Sequence, residues 1–352
     1  MGGLDGVAPS LARAPGRCQT APVIRTALLA IAALALSLVI CELAVRFLHL
    51  APEVTRVEIH TPWAAFVPSE SPILQYEPKP GAGDVNAYGA RDFPFAVEKP
   101  PGTFRIVVIG DSIAFGFCNE DAPLAIEDTF AKVLERSLRQ RVGRPLQVIN
   151  LAVSGYDTVQ EAEMLARKGI PLHPDLVVVA YCLNDAWDAS VEQIAFESRF
   201  GGLLGSGNAF RSLYLSSDLL RLVMQRTQIV RRGIRWARGQ LEPDRTRRGF
   251  ARIARLGEEH GFTTVVATFP MMQDFDHYGR LSEHTAVADK AAAAGLRNLD
   301  LLPAFREAAA GDFRTLQGRC NREHPDEAGH AVAARAIEAY LLEQTLIDEV
   351  GR

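Results

Sequence analysis

Short apolar runs alternate with segments of helical periodicity over the C-terminal two-thirds of the chain. Five apolar runs predict strands, at residues 105–109, 146–153, 176–181, 263–269 and 296–299. Helical periodicity predicts helices between or after them, at residues 125–141, 159–168, 247–260 and 326–346. Both faces of such apolar strands need cover, which is typical of a parallel sheet between two layers of helices. We therefore expect an α/β domain whose site lies at the carboxyl ends of the strands.

One apolar run is longer and lies near the N-terminus. Residues 27–41 carry no charge, and three arginines precede them against the single Asp5. A membrane span needs about 20 apolar residues, and the pattern reaches that length because it continues to residue 50 past Glu42 and Arg46. These two side chains are four positions apart and can pair on one helical face.

This pattern predicts a cytoplasmic tail at residues 1–25 and an uncleaved signal anchor at residues 26–50. No small-x-small cleavage site follows the apolar core, which disfavours a cleaved signal peptide. A buried core helix is the remaining alternative, although the arginine-bearing tail before it would be unusual. The positive flank predicts that everything after the anchor lies outside the cytoplasm.

Two stretches interrupt the α/β pattern. Residues 51–103 are rich in proline and glycine and predict an extended spacer that becomes a lead-in packed on the domain. Residues 190–250 predict an insertion with a long helix at about 210–240. Residues 211–255 contain twelve arginines and three acidic residues, which gives this segment a net charge of +9. This charge indicates either a solvated helical face or a surface for anionic headgroups or an anionic glycan.

Composition excludes several classes of protein. The chain has 352 residues, of which 48% are hydrophobic and 23% charged, and its formal net charge is −4. These values argue against a disordered chain, a collagen-like repeat and a nucleic-acid binder of overall basic charge. Five cysteines without a C-x-x-C pair indicate neither a disulfide scaffold nor a structural zinc site. The sequence has no phosphate loop, dinucleotide fingerprint or metal-ligand spacing, so we expect no cofactor and no metal.

Candidate chemistry begins at Gly110-Asp111-Ser112, directly after the first predicted strand. A serine in such a turn projects its hydroxyl from the carboxyl edge of the sheet, and its backbone N–H points into the same space. Taken alone, the triplet can equally be a turn in which Asp111 and Ser112 cap backbone groups.

Three further residues fall at predicted strand ends or in loops. Gly155 follows the second strand and can offer an unobstructed N–H donor, and Asn184 follows the third strand and can offer a side-chain amide. His324 comes just before a helix that Pro325 opens. With the serine, these residues supply a nucleophile, a general base and oxyanion donors, which are the parts that acyl transfer needs.

The four blocks, in this order, resemble the SGNH (GDSL-type) hydrolase superfamily over residues 104–346. Each block holds its usual residue: Gly110 to Ser112, Gly155, Asn184 and the pair His324-Pro325. The lead-in around residues 86–92 is similar to a membrane-anchored bacterial branch of that superfamily. The resemblance implies a three-layer α/β/α, flavodoxin-like fold with a five-stranded parallel sheet, and a serine esterase or acyltransferase.

The resemblance also implies roles at the site. Ser112 would attack a carbonyl carbon while His324 takes its proton. The N–H groups of Ser112 and Gly155 and the amide of Asn184 would hold the oxyanion. The implied substrate is an acylated carbohydrate or another ester, with an O-acetyl group on a cell-envelope polysaccharide as the expectation. The location follows from the predicted anchor, which places the protein in a bacterial inner membrane with the catalytic domain in the periplasm.

The sequence departs from the superfamily pattern at two positions. Cys182 stands at the usual glycine of block III, and Asn321 stands at the usual aspartate of block V. Asparagine cannot stabilise an imidazolium ion by charge. Three alternatives follow: a Ser–His dyad works alone, a nearby carboxylate (Glu323 or Asp276) substitutes, or the fold binds glycan or lipid without turnover. We expect some activity, because the other site residues are all present.

Other residues near the blocks are candidates for supporting, substrate-binding or structural roles. Asp111 and Asp185 are expected to support the site. Tyr156 and Trp187 can form an aromatic wall for a sugar, although packing in the core is an equal alternative. Three cysteines lie within a few residues of a block, namely Cys118, Cys182 and Cys320. Isolated thiols are the preferred interpretation, and a disulfide between two of them in an oxidising compartment is the alternative.

Overall fold

The computed structural model describes residues 20–50, 66–71, 73, 74, 76–118, 123–183, 212, 213, 216–224, 226, 244–320 and 324–348. The chain forms two compact units, which are described separately. The smaller unit comprises residues 1–53 and 213–225, and the larger unit comprises the rest of the chain.

The smaller unit is built on one long apolar helix, α1 (Thr20–Phe47). Its 24 residues Ile24–Phe47 include a window with a mean hydropathy of 2.6, of which only 6% is buried. Length and composition make α1 a candidate membrane span. A signal sequence near an N-terminus passes the same test.

The carboxylate of Glu42 joins α1 to a short helical segment at residues 218–224. It accepts hydrogen bonds from the first two N–H groups of that segment, both at 2.9 Å, and from the hydroxyl of Ser217 at 2.8 Å. The ion pair with Arg46 also forms, with an N–O distance of 2.9 Å. Most of the helix predicted at 210–240 lies outside the described residues.

The larger unit begins with a small antiparallel pair, β1 (Phe66–Pro68) and β2 (Tyr76–Pro78). Leu74 and Tyr76 are fully buried, and Arg91 and Asp92 are each 2% exposed. The lead-in is therefore part of the packed domain from residue 66 onward. The sequence predicts a spacer that becomes a lead-in packed on the domain within residues 51–103, and the described residues from Phe66 onward are the packed part.

Five parallel strands form the central sheet: β3 (Phe104–Gly110), β4 (Leu146–Asn150), β5 (Leu176–Cys182), β6 (Thr263–Phe269) and β7 (Arg297–Asp300). Their order across the sheet is β4-β3-β5-β6-β7. This is the flavodoxin-like order, whose switch point lies between β3 and β5. All seven residues of β3 and of β5 are buried. The predicted five-stranded parallel sheet with cover on both faces is confirmed.

Seven α-helices in the described part of the larger unit cover the sheet: α2 (Ser112–Phe115), α3 (Phe130–Arg141), α4 (Thr158–Met164), α5 (Arg245–His260), α6 (Leu281–Ala293), α7 (Leu302–Ala309) and α8 (Glu327–Glu343). Helix α5 packs against α4 and α6, whereas α8 packs against α3 and α7. The short α2 starts at the switch point, where it positions the candidate nucleophile.

Candidate active site

The turn between β3 and α2 is built by Gly110, Asp111 and Ser112. A Cβ atom at Gly110 would lie 2.8 Å from the carbonyl oxygen of Ala180 on β5, so this close approach requires glycine. Asp111 caps α2, since its Oδ1 accepts a hydrogen bond from the N–H of Ile113 at 3.0 Å. Ser112 is then the first residue of α2, where an N–H has no partner within the helix.

His324 approaches this serine from the loop before α8. Its Nε2 lies 2.7 Å from Oγ of Ser112, and Oδ2 of Asp111 lies 3.2 Å from the same Oγ. The imidazole is 4% exposed and the serine 7%. Asp326 fixes the chain just after the histidine, because its carboxylate caps α8 through two N–H groups at 2.9 and 3.0 Å. The structure thus places the predicted nucleophile and base within hydrogen-bond distance.

Burial strengthens the preference of this histidine for its neutral form. The loss of hydration lowers the pKa of His324 from 6.5 to about 4. The imidazole is therefore neutral at pH 7. A neutral imidazole whose hydrogen is on Nδ1 can accept the serine proton at Nε2, as a general base must.

The loop after β4 carries Gly155, whose φ of +80° favours glycine over any other residue. The hydroxyl of Tyr76 donates a hydrogen bond to the carbonyl oxygen of Ser154 at 2.7 Å. The N–H of Val153 donates to the carbonyl oxygen of Gly110 at 3.0 Å. The backbone just before Gly155 is therefore fixed between the lead-in and the nucleophile turn.

The lead-in also holds the far end of α2. The guanidinium of Arg91 donates to the carbonyl oxygen of Phe115 at 2.6 Å. The carboxylate of Asp92 accepts from the N–H of Asn150 at 2.8 Å, and the side-chain amide of Asn150 donates to the carbonyl oxygen of Ala114 at 2.7 Å. Sequence reasoning did not assign roles to these residues. Charged residues in a segment that resembles the family were the available signal.

Two residues considered for substrate contact or catalysis lie elsewhere. Tyr156 is 2% exposed, and its ring packs against that of Tyr76 with 5.1 Å between centroids. It belongs to the core and not to an aromatic wall. Asp276 is exposed, its N–H bonds to Asp274, and within the described residues its carboxylate makes no hydrogen bond to His324.

Other predicted residues of the site lie outside the described part of the chain. They are Asn184, Asp185, Trp187, Asn321 and Glu323. Their oxyanion, supporting, substrate-binding and orienting roles stay predictions.

Two of the three cysteines near the blocks are bonded to each other. Cys118 and Cys320 form a disulfide across 202 positions of sequence, whereas Cys182 is buried and takes no part in a disulfide. The preferred interpretation of three isolated thiols is therefore wrong for this pair. Phe117, next to the bridge, places its ring 4.9 Å from the imidazole of His324.

A model of the GDSL-like lipase/acylhydrolase family matches residues 108–332, more than half of the chain. The chain belongs to this family. A GDSL-like acylhydrolase is a hydrolase that acts on ester bonds, which agrees with a neutral imidazole in contact with a serine hydroxyl at a sheet edge. No curated protein matches the chain.

Solved structures of other esterases are similar to this GDSL-like chain at low identity. Axe2, an acetylxylan esterase from Geobacillus stearothermophilus, is 15% identical with a TM-score of 0.43, over 66% of this chain and 92% of Axe2. A lipase/acylhydrolase from Enterococcus faecalis is 18% identical with a TM-score of 0.44, over 71% of this chain and 100% of its own. The acetyl xylan esterase AlAXEase is 12% identical with a TM-score of 0.43, over 68% of this chain and 100% of its own.

Metal ligands are not grouped in the described parts of this GDSL-like domain. Among those residues, no three His, Cys, Asp or Glu side chains are placed to hold a metal ion.

Proposed function

We propose that the protein is a serine esterase in which Ser112 is the nucleophile and His324 the general base. The observation that carries the proposal is the 2.7 Å contact between Nε2 and Oγ. It joins two residues that are 212 positions apart in the sequence. A binding module without turnover has no need for this contact, which supports catalysis over that alternative.

In the proposed reaction, Oγ of Ser112 attacks the ester carbonyl carbon while its proton passes to Nε2 of His324. The resulting oxyanion is held by the N–H groups of Ser112 and Gly155 and by the amide of Asn184. The imidazolium then gives its proton to the departing alkoxide, leaving an acyl-serine. Water, or a sugar hydroxyl in a transferase, attacks the acyl-serine with His324 again as the base. We propose that this works as a Ser–His dyad, with Asn321 orienting the ring.

We propose further that α1 anchors the protein in a bacterial inner membrane and that the catalytic domain faces the periplasm. Two observations support this location. Helix α1 is long and apolar enough to span a bilayer. The Cys118–Cys320 disulfide is of a kind that persists in oxidising compartments and is rare in the cytosol. Fusions of alkaline phosphatase to residue 352 test the topology, since that reporter is active only outside the cytoplasm.

The proposed substrate is a short acyl ester, such as an O-acetyl group, on a polysaccharide of the cell envelope. The nearly buried serine and histidine favour a small acyl group. The proposed location in the cell envelope would give the site access to acylated polysaccharide. A series of p-nitrophenyl esters with increasing acyl length tests the first point, and we expect the acetyl ester to give the highest kcat/KM.

The test of the catalytic proposal compares the full-length protein with Ser112→Ala in detergent, using p-nitrophenyl acetate. We expect the variant to lose at least about 10³-fold in kcat, because the nucleophile cannot be replaced by a methyl group. Equal rates for the two proteins would contradict the proposal. Equal melting temperatures would show that the variant is folded.

A further inference from the structure

The loop that carries the candidate base has a covalent connection to the loop that follows the candidate nucleophile. Cys118 follows Ser112 by six positions, Cys320 precedes His324 by four, and the two sulfur atoms are bonded. Both cysteines are buried, at 0% and 7% exposure. The bridge therefore lies close in sequence to both members of the pair.

An aromatic ring lies between the bridge and the base. The ring of Phe117 contacts the imidazole of His324 at 4.9 Å between centroids. The N–H of Phe117 donates to the carbonyl oxygen of Ser112 at 2.9 Å, and Gly116 accepts from the N–H of Leu124 at 2.8 Å. The backbone of Phe117 is thus fixed relative to the nucleophile, and its ring limits how the imidazole can turn.

These contacts complete a closed ring of residues. The chain runs from Ser112 through Phe117 to Cys118, crosses the disulfide to Cys320, continues to His324, and returns to Ser112 by the hydrogen bond of 2.7 Å. The disulfide is the covalent link between the two loops in this closed path, so breaking it separates the histidine loop from the loop after the nucleophile. The histidine loop then keeps its place only through noncovalent contacts.

We propose that the Cys118–Cys320 disulfide and Phe117 are positioning groups that hold His324 against Ser112, so that reducing the disulfide slows turnover. The catalytic consequence rests on the proposed function, whereas the effect on the position of His324 does not. The reductant is a dithiol. It donates two electrons and two hydrogens to the bridge, giving two cysteine thiols, and is itself oxidised to a cyclic disulfide.

The kinetic test treats the full-length protein with dithiothreitol, confirms two new thiols per chain, and measures hydrolysis of p-nitrophenyl acetate. We expect kcat to fall at least about 10-fold with little change in KM, because small displacements of a catalytic group are costly. Reoxidation should restore kcat. Cys118→Ser/Cys320→Ser should match the reduced protein and be insensitive to dithiol, and Cys41→Ser should behave as the unchanged protein.

A second readout is independent of turnover. Diethyl pyrocarbonate modifies accessible neutral imidazoles, and mass spectrometry can follow each histidine of the double cysteine variant. We expect faster modification of His324 in the variant. His277, whose side chain is 87% exposed, should react equally in both proteins, and His330, which is fully buried in α8, should stay protected. Protection of His330 distinguishes a displaced base from general unfolding.

The aromatic contact has its own variants. Phe117→Ala should lower kcat with the disulfide intact, and Phe117→Tyr, which keeps the ring, should restore it. A merely structural role would lower the melting temperature in the alanine variant without changing kcat.

The possible outcomes are distinct. Unchanged kcat and unchanged modification of His324 after reduction would overturn the positioning role, as would simultaneous exposure of His330. Faster modification of His324 in a protein whose turnover does not depend on Ser112 would refute the proposed function and leave the positioning role supported.

Discussion

The two loops that meet at the serine are held in different ways. The Gly155 loop is fixed by hydrogen bonds from buried groups, such as the Tyr76 hydroxyl that donates to Ser154 at 2.7 Å. The His324 loop is fixed by a covalent bond from Cys320 to Cys118 and by the ring of Phe117. A backbone donor needs only a rigid peptide, which packing in a core supplies. A base must keep one ring orientation while it gains and loses a proton. A crosslink can help by restricting the movement of the loop that carries the imidazole.

Removing the base should produce the largest effect on either side. We expect His324→Ala to lower kcat by about 10³-fold or more, since the other acceptor beside the serine hydroxyl, the carboxylate of Asp111 at 3.2 Å, is a weaker base than a neutral imidazole. The matched control is His277→Ala at an exposed histidine, which should leave kcat unchanged. Turnover by His324→Ala within a few-fold of the unchanged protein would show that another group is the base.

Distorting the Gly155 loop should have the next largest effect on kcat. Gly155 has φ of +80°, so Gly155→Ala should strain the backbone by about 1–2 kcal/mol and displace the N–H that we propose as an oxyanion donor. We expect kcat to fall about 10²-fold. Gly102→Ala is the control, because Gly102 has φ of +72° and open space around it. If both variants lose stability equally but only Gly155→Ala loses kcat, the loop carries a donor.

Removing one hydrogen bond that supports the Gly155 loop should have a smaller effect on kcat. Tyr76→Phe leaves the carbonyl oxygen of Ser154 without its donor, which should cost about 1–3 kcal/mol of stability and lower kcat about 5- to 10-fold. Tyr88→Phe is the matched control, because the hydroxyl of Tyr88 donates a similar hydrogen bond of 2.8 Å to the carbonyl oxygen of Lys168. That variant should lose stability without losing kcat.

The smallest expected effect is on the pH dependence of the rate. The midpoint of its acid limb should lie below the usual pKa of histidine. Burial lowers the pKa of His324 to about 4, so the unprotonated base persists as pH falls and is lost only near that value. We expect kcat/KM to stay level down to about pH 5 and to fall by half near pH 4. An acid limb with its midpoint near 6.5 would contradict a buried neutral base.

Folding must be followed in the same titration. Unfolded histidines take up protons near pH 6.5, whereas folded His324 and His330 resist protonation down to about 4 and about 3. Stability therefore falls as pH falls below 6.5, and fluorescence at each pH separates unfolding from protonation of the base. Asn321→Asp sharpens the experiment: if residue 321 orients the imidazole as proposed, a carboxylate at this position should raise kcat and move the acid limb to higher pH.

Much of the fold could be predicted from the sequence. Continuous apolar strands bounded by turns place all five strands to within about three residues of their observed ends. Helices α6 and α7 were not predicted. The alanine-rich residues 281–293 have only a weak amphipathic pattern, and α7 has eight residues. Tertiary packing, and not local pattern, decides such helices.

The site was predictable only in part. Ser112 and His324 could be named because short motifs in order carry a family resemblance. Their supports could not, because Arg91, Asp92 and Tyr76 act through contacts with residues more than 20 positions away. Likewise, the pairing of Cys118 with Cys320 depends on a fold that brings two distant loops together. Pattern along a chain contains no information on such distances.

The packed lead-in determines where the chain can be shortened. A truncated protein that begins at residue 104 would lack the partners of Phe115, Asn150 and Ser154, and would expose the surface that Leu74 and Tyr76 now cover. Its motif residues would all be present, yet the turn that carries Ser112 and the loop that carries Gly155 would lose the contacts that support them. Any soluble version intended for crystallisation or screening should therefore begin before Phe66.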